Sequence, residues 1–285
     1  MIHEIPLERR TLHGHFSPEL APILTVDPGD SIAFSCPNAG WRLDSGDQFA
    51  PRDEDLDAGH ALVGPIEVKG AKAGGTLVVR IDDVRTGRFG ETWANGTRVV
   101  WQLDGETAVD ERGTRVALAP FLGVIGMPPD DPGIHSTSPP RRWGGNIDCK
   151  ELVAGTTLYL PISIDGAHVS AGDGHGAQGD GEASGTAVEC FVERAQLTFD
   201  LSDLGLRSPI ARVPNAWIAF GFDEDLDLAA EQALATMLDL MERELALERF
   251  YALALASVVV DLRVTQVVNG AKGIHAVLRH DAIRM

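Results

Sequence analysis

Through the first three quarters of the chain the apolar positions fall in short runs punctuated by glycine, proline and aspartate, the pattern of strands joined by tight turns. Residues 24–26 (LTV), 31–34 (SIAF), 76–81 (TLVVRI), 157–160 (TLYL) and 195–199 (AQLTF) have strand length and composition. The dipeptides Asn95-Gly96 and Asp104-Gly105 combine residues that tolerate positive φ. The first lies between Trp93 and the apolar run Val99, Val100 and Trp101, and the second just before residues 107–109. This stretch predicts an antiparallel meander. Three segments, 27–32 (DPGDSI), 72–77 (KAGGTL) and 153–158 (VAGTTL), each set a glycine turn before a strand. They read as a common turn-to-strand signal rather than an internal duplication.

The period changes after Asp223. Asp225 and Asp227 are placed to cap a helix start and to favour its dipole. Leu234, Leu238, Met241 and Leu245 follow at spacings of 4, 3 and 4, one helical stripe. A second helix is expected from Glu248 to about Val259. Strand character returns at 262–268 (LRVTQVV), Asn269-Gly270 is another turn, and 273–278 (GIHAVL) is a last strand. The fold class predicted is α+β and β-rich: antiparallel strands in a meander forming a sandwich- or barrel-like core, with a helical pair near the C-terminus. No low-complexity linker interrupts the chain, so one domain is expected over residues 1–285: β-rich over 1–222, the helical pair at about 225–260, closing strands over 262–279.

Composition narrows the function classes. The chain has 285 residues, 44% hydrophobic and 23% charged, enough to build an ordinary core. Its 24 Lys and Arg against 42 Asp and Glu give a net charge of −18, which disfavours nucleic acid as a partner. The longest apolar stretch, 251–260, ends at Asp261 and is too short to span a bilayer. The N-terminal residues MIHEIPLERR lack the apolar core of a signal peptide. Three widely spaced cysteines, Cys36, Cys149 and Cys190, form neither a disulfide framework nor a thiolate zinc knuckle. The expectation is a soluble, cytoplasmic protein.

The candidate chemistry concentrates in two segments. Residues 172–182 (GDGHGAQGDGE) hold five glycines together with Asp173, His175, Asp180 and Glu182. Glycine lets a backbone turn sharply and approach a ligand, and carboxylate and imidazole are donors for a divalent metal. On extended flanks, Asp173 and His175 would share one face, and so would Asp180 and Glu182. The glycines also spell GxGxxG, but residues 186–192 (TAVECFV) read as a strand, whereas a dinucleotide fingerprint must open a helix. The second segment, 143–150 (WGGNIDCK), alternates Asn146, Asp148 and Lys150, which on a strand share a face. Cys149 would then point the other way, as a buried hydrophobe. Taken singly, His13, His15, His60 and His135 are weaker candidates.

With these segments in view, the sequence resembles the acetamidase/formamidase family. The resemblance rests on 121–129 (FLGVIGMPP), 144–150 (GGNIDCK), 158–161 (LYLP), and GDGH at 172–175 through GDGE at 179–182. Residues 60–71 (HALVGPIEVKGA), 73–77 (AGGTL) and 261–269 (DLRVTQVVN) extend it from about Pro22 to Leu278. It implies a β-rich hydrolase that splits short-chain primary amides into carboxylate and ammonia. It further implies a bound divalent metal, zinc or calcium, and a homo-oligomer. The family's histidine falls on His60, its Asn-x-Asp-x-Lys on Asn146, Asp148 and Lys150, and its glycine-rich donors on Asp173, His175, Asp180 and Glu182. The chain departs from the family pattern at Val63, His168 and Gly176, and it is the family's short form.

On that resemblance, His60, Asp148, Asp173 and His175 are expected as metal ligands, with zinc ahead of calcium and Asp180 in or beside the same shell. Glu182 is the expected general base, and Asn146 or Lys150 the expected holder of the oxyanion. Arg141 and Arg142 are either exposed charge or a clamp for an acidic substrate. A serine amidase lacks its Gly-x-Ser-x-Gly, and a Cys149-Lys150-Glu151 hydrolase is disfavoured because neighbours on a strand face opposite ways. The rival to an enzyme is a non-catalytic β-rich binder of a metal or a small ligand.

Overall fold

The computed structural model describes residues 1–53 and 55–284. The eighteen strands of these residues join through backbone hydrogen bonds into one continuous, largely antiparallel sheet system, and two helices follow late in the chain. The spine is the strand Thr76–Ala94. It runs antiparallel to Glu189–Ser202, takes Thr157–Pro161 against its first residues, and turns back into Thr97–Leu103. Along it Leu77, Val79 and Ile81 are buried while Arg80 and Asp82 are exposed, the period of two that a half-buried strand dictates. Asn95 and Gly96, with φ of 47° and 82°, close the hairpin in two residues. The Asp104-Gly105 turn is longer: Leu103 pairs with Ala108, and the Asp104 carboxylate accepts from the Glu106 and Thr107 N–H groups. The three recurrent glycine turns each place a glycine at positive φ, with Gly29 at 90°, Gly74 at 84° and Gly155 at 90°.

Two pairings depart from the antiparallel expectation. Ile2–Ile5 lies parallel to Ser31–Cys36, and Leu24–Val26 lies parallel to Leu62–Val68. A long connection separates the partners in each case, as a parallel pair requires.

The helical pair is α1, Leu226–Leu245, and α2, Arg249–Val259. The Asp225 carboxylate caps α1 by accepting from the N–H groups of Asp227 and Leu228, and the Glu248 carboxylate caps α2 in the same way. The buried face of α1 is rotated from the leucine stripe the sequence suggested. Ala229, Ala233, Met237, Leu238, Leu240 and Met241 are buried, so Leu238 and Met241 of the stripe reach the core while Leu234 and Leu245 lie at the half-buried margin. The reason is close approach to the strand Ala216–Asp223: a methyl on Gly221 would stand 2.1 Å from the Ala229 carbonyl oxygen and 2.5 Å from the Ala233 nitrogen. Alanine permits that contact and leucine does not. The helices therefore cover one side of the strands Ile210–Val213, Ala216–Asp223 and Ala271–Arg279. Among the described residues, no helix is long and apolar enough to cross a membrane.

Candidate active site

The glycine-rich segment divides in two. Its first residues end the strand Val169–His175, which is buried throughout and lies between Phe121–Gly126 and Leu62–Val68. Two glycines there are dictated by packing. A methyl on Gly172 would stand 2.2 Å from the Ala61 carbonyl oxygen, and one on Gly174 would stand 2.5 Å from Val192 Cγ2. The alternate residues, Asp173 and His175, are 2% and 1% exposed and turn toward Gly123 on the neighbouring strand. Gly123 is the floor of the site, because a methyl on it would meet Asp173 Oδ2, Asp148 Oδ1 and His175 Cε1, all within 2.9 Å.

Sheet register delivers a further carboxylate. Gly174 pairs with Cys190 and His175 with Glu189, so the first residue of Glu189–Ser202 faces the imidazole. Asp173 Oδ2 and Glu189 Oε2 each lie 3.3 Å from His175 Nε2. Asp148 and Glu182 come from turns, with φ of 51° and 45°. Asp148 Oδ2 accepts from Asn269 Nδ2 at 2.6 Å, and the Asp148 carbonyl accepts from Gln178 Nε2 at 2.7 Å. Two donor groups result, Asp148–His175–Glu182 and Asp173–His175–Glu189, each with its ligand atoms within 4.8 Å of one another. They sit in a cavity of about 490 Å³ that His60, Asn146 and Asn269 also line.

Four carboxylates around one buried imidazole make the protons redistribute. Burial pushes Asp148 well above the usual carboxylate range, and the neighbouring Glu182 adds to the shift. Burial also raises Glu182, to about 7, with the charges of Glu189 and Asp173 adding and that of His175 opposing. Burial alone would lower His175, but Glu189 and Asp173 hold it well above its ordinary value. Burial opposes ionisation of Asp173 too, yet His175 and His60 outweigh it and keep that carboxyl below the usual range.

The residues fit a divalent ion. Asp148 Oδ1, Asp173 Oδ1, both ring nitrogens of His175, Glu182 Oε2 and Glu189 Oε2 are buried without a hydrogen-bond partner. Buried polar atoms are normally paired, and a convergent set of orphaned donors around a methyl-free floor could hold a cation.

The other sequence candidates are placed as follows. His60 lines the cavity outside both donor groups, its Nδ1 engaged with Thr137 Oγ1 at 2.7 Å. Asn146 lines it as well; its Nδ2 donates to the Ser138 carbonyl, which leaves Oδ1 orphaned. Lys150 and Asp180 do not line the cavity. Their side chains pair at 3.0 Å, and Arg263 bridges Asp180 to Glu151. The shared face expected of Asp173 and His175 holds, whereas those expected of Asn146, Asp148 and Lys150 and of Asp180 and Glu182 fail for a backbone reason. The strand Gly144–Asn146 stops before Asp148, whose positive φ turns the chain, and Gly181 and Glu182 do the same after Asp180. Cys149 is buried outside the cavity that Asp148 lines, as a buried hydrophobe would be, and its thiol donates to Glu151 Oε2 at 3.2 Å. Arg141 donates to the Pro139 carbonyl and Arg142 stacks 5.2 Å from the Trp143 ring; neither lines the cavity as a substrate clamp would. His13 spends both nitrogens on the His15 carbonyl and Ser170, which removes it as a chelator. Glu189 and Asn269 were missed from the sequence. An acid in the apolar strand 186–192 was the available signal for Glu189, and Asn269 read only as a turn residue.

The model of the Acetamidase/Formamidase family matches residues 3–136 and 131–278. A formamidase of Methylophilus methylotrophus is 26% identical over 240 aligned residues, covering 60% of this chain and 59% of its own length. An acetamidase of Mycolicibacterium smegmatis is 26% identical over 246, covering 60% of this chain and 61% of its own length. The chain thus spans about three fifths of the length of these curated relatives. The crystal structure of an acetamidase from Bacillus halodurans is similar with a TM-score of 0.85 and 28% identity, covering 96% of this chain and 97% of that one. The family match runs through both site-bearing segments and nearly from end to end, and the chain belongs to the acetamidase/formamidase family.

Proposed function

We propose that this chain is a metal-dependent amidohydrolase that cleaves short-chain primary amides, formamide, acetamide or similar, to a carboxylate and ammonia. The observation that carries the reading is the set of orphaned buried donors over Gly123 at the floor of the cavity. Membership of the family supplies the reaction class. Asp148, Asp173, His175 and Glu189 are the residues that would hold the ion, and His60 keeps one ring nitrogen, Nε2, for the ion or the amide. An imidazole at the centre of the donor set favours zinc over calcium. A divalent ion there supplies Lewis acidity toward a poor electrophile, the amide carbonyl, and toward water.

The protein's own groups do the rest. Glu182 is buried beside the donors with Oε2 free of a hydrogen-bond partner, so that oxygen can take a proton from the attacking water and pass it to the departing ammonia. Asn146 Oδ1, a free acceptor, suits the substrate's NH2 better than an oxyanion. Lys150 is committed to Asp180 and takes no part in this scheme. The reading extends to a single-domain, cytoplasmic homo-oligomer without nucleic-acid or membrane partners, which fractionation and analytical sedimentation check.

The test is ammonia release from formamide, acetamide and propionamide before chelation, after it, and after zinc is restored. Release that chelation abolishes and zinc restores is expected. No release by protein carrying stoichiometric metal would overturn the proposal in favour of a non-catalytic metal- or ligand-binding protein.

A further inference from the structure

We propose that Cys149, Glu151 and His275 form a second metal site, suited to zinc, apart from the candidate active site. None of the three lines the active-site cavity. Glu151 Oε2 lies 3.2 Å from Cys149 Sγ and 3.7 Å from His275 Nε2, and the three donor atoms are all within 4.8 Å of one another. Zinc bonds of about 2.0–2.3 Å at tetrahedral angles place such ligand atoms roughly 3.3–3.7 Å apart. The site is buried at its core, with Cys149 and His275 each 1% exposed.

The independent observation is the imidazole. His275 Nδ1 shares a hydrogen bond with Thr265 Oγ1 at 2.9 Å, whereas its buried Nε2 has no hydrogen-bond partner. With a metal on Nε2, Nδ1 would carry the proton and the Thr265 hydroxyl would accept from it, the usual outer support of a metal-bound histidine. The second Glu151 oxygen is held by Arg263 Nη1 at 2.6 Å, so the carboxylate is anchored with Oε2 left toward the other two donors. Thiolate and imidazole together select zinc over calcium or magnesium.

Binding breaks the Cys149 S–H bond, forms the sulfur–metal bond and releases one proton to solvent. It ties residues 149–151 to the strand Ala271–Arg279. Asp148 immediately precedes the site, so the same tie steadies one donor of the candidate active centre.

The experiment titrates metal-stripped protein with Co²⁺ as a zinc surrogate. It reads the thiolate-to-cobalt charge-transfer band in the near ultraviolet, and zinc content by mass spectrometry. Wild type is expected to show the band. Asp173→Asn, which damages the other site, is expected to keep it. Cys149→Ser is expected to lose the band and about one zinc per chain. His275→Gln is expected to weaken cobalt binding by at least about 10-fold with the band retained at saturation, which keeps the proposal testable if Cys149→Ser does not fold. Absence of the band in wild type overturns the proposal. So does an undiminished band in Cys149→Ser, which would assign the thiolate to Cys36 or Cys190.

Discussion

Gly123→Ala adds one methyl to the floor of the donor set and nothing else. The Gly123 backbone is not left-handed, so alanine brings no strain of its own. Its Cβ would stand 2.4 Å from Asp173 Oδ2, 2.7 Å from Asp148 Oδ1 and 2.9 Å from His175 Cε1. To reach ordinary van der Waals separation, the Asp173 oxygen must retreat by about 1 Å and the other two by somewhat less. All three groups are buried at 2% exposure or less, so that room comes from distortion rather than from solvent. Overpacking of this kind costs about 1–3 kcal/mol, a fall of several degrees in Tm for a chain of this size. A misplacement of about 1 Å in a reacting assembly costs about 10²-fold in rate. The assay has three readouts: thermal unfolding, zinc affinity, and ammonia release from formamide with zinc supplied. The expected variant is folded, binds zinc at least about 10-fold more weakly, and turns over about 10²-fold more slowly. Wild-type affinity and turnover in a folded Gly123→Ala protein would refute the placement of the ion among Asp148, Asp173 and His175.

Glu182→Gln keeps the shape of the side chain and removes its base, so metal content should hold while turnover falls by roughly 10²–10⁴; unchanged turnover would remove Glu182 from the scheme. Asn269→Ala deletes the donor to Asp148 Oδ2 and should weaken zinc binding by about 10–100-fold in a competition titration with Tm little changed; equal affinity would make that contact incidental. Asp180→Asn breaks pairs with Lys150 and Arg263 that are about one-third exposed, so stability should move by under about 1 kcal/mol and turnover by less than about threefold. A large loss of turnover would return Asp180 to the reaction. Burial depresses His13 from an ordinary 6.5 to about 4, so the unfolded chain takes up a proton the folded one refuses. Its stabilisation is present above pH 6.5 and lost as pH falls toward 4, about 2 kcal/mol between pH 7 and pH 5. Urea unfolding at both pH values should show a loss in wild type that His13→Gln reduces, and identical losses would refute the assignment.

What was legible in the sequence follows from which parts of the backbone are regular. The strands at 76–81, 157–160 and 195–199 and the Asn95-Gly96 hairpin stand where period and turn chemistry put them. The start of α1 was marked by its acidic cap, Asp225, and α2 begins where the sequence put it, at Glu248. Half of the stripe of α1, Leu238 and Met241, lies on the buried face, and the stripe missed the alanines, weak in any hydrophobicity pattern, that let the helix meet Gly221. The site follows the same logic. Asp173, His175, Asp148, Glu182, Asn146 and His60 were picked out by residue type, and the structure gathers them around one cavity. Glu189 and Asn269 reach it by register and by a distant turn, which no local spacing encodes.

Lys150 and Asp180 were grouped with the site by the family resemblance and by an assumption of alternation, and alternation holds only while the chain stays extended. Among the described residues, eight non-glycine residues adopt positive φ, and three of them are Asp148, Asp173 and Glu182. Each such conformation costs of order 1–3 kcal/mol and persists only where surrounding structure enforces it. Here the enforcement is visible. Asn269 and Gln178 hold Asp148, the strands on either side hold Asp173, and the turn over Gly179 holds Glu182. The periodicity that makes the rest of the fold readable therefore breaks at the donor residues themselves. It breaks there because Asp148 and Glu182 reach the site from turns outside any strand, whereas Asp173 and His175 share a face as alternate residues of one strand.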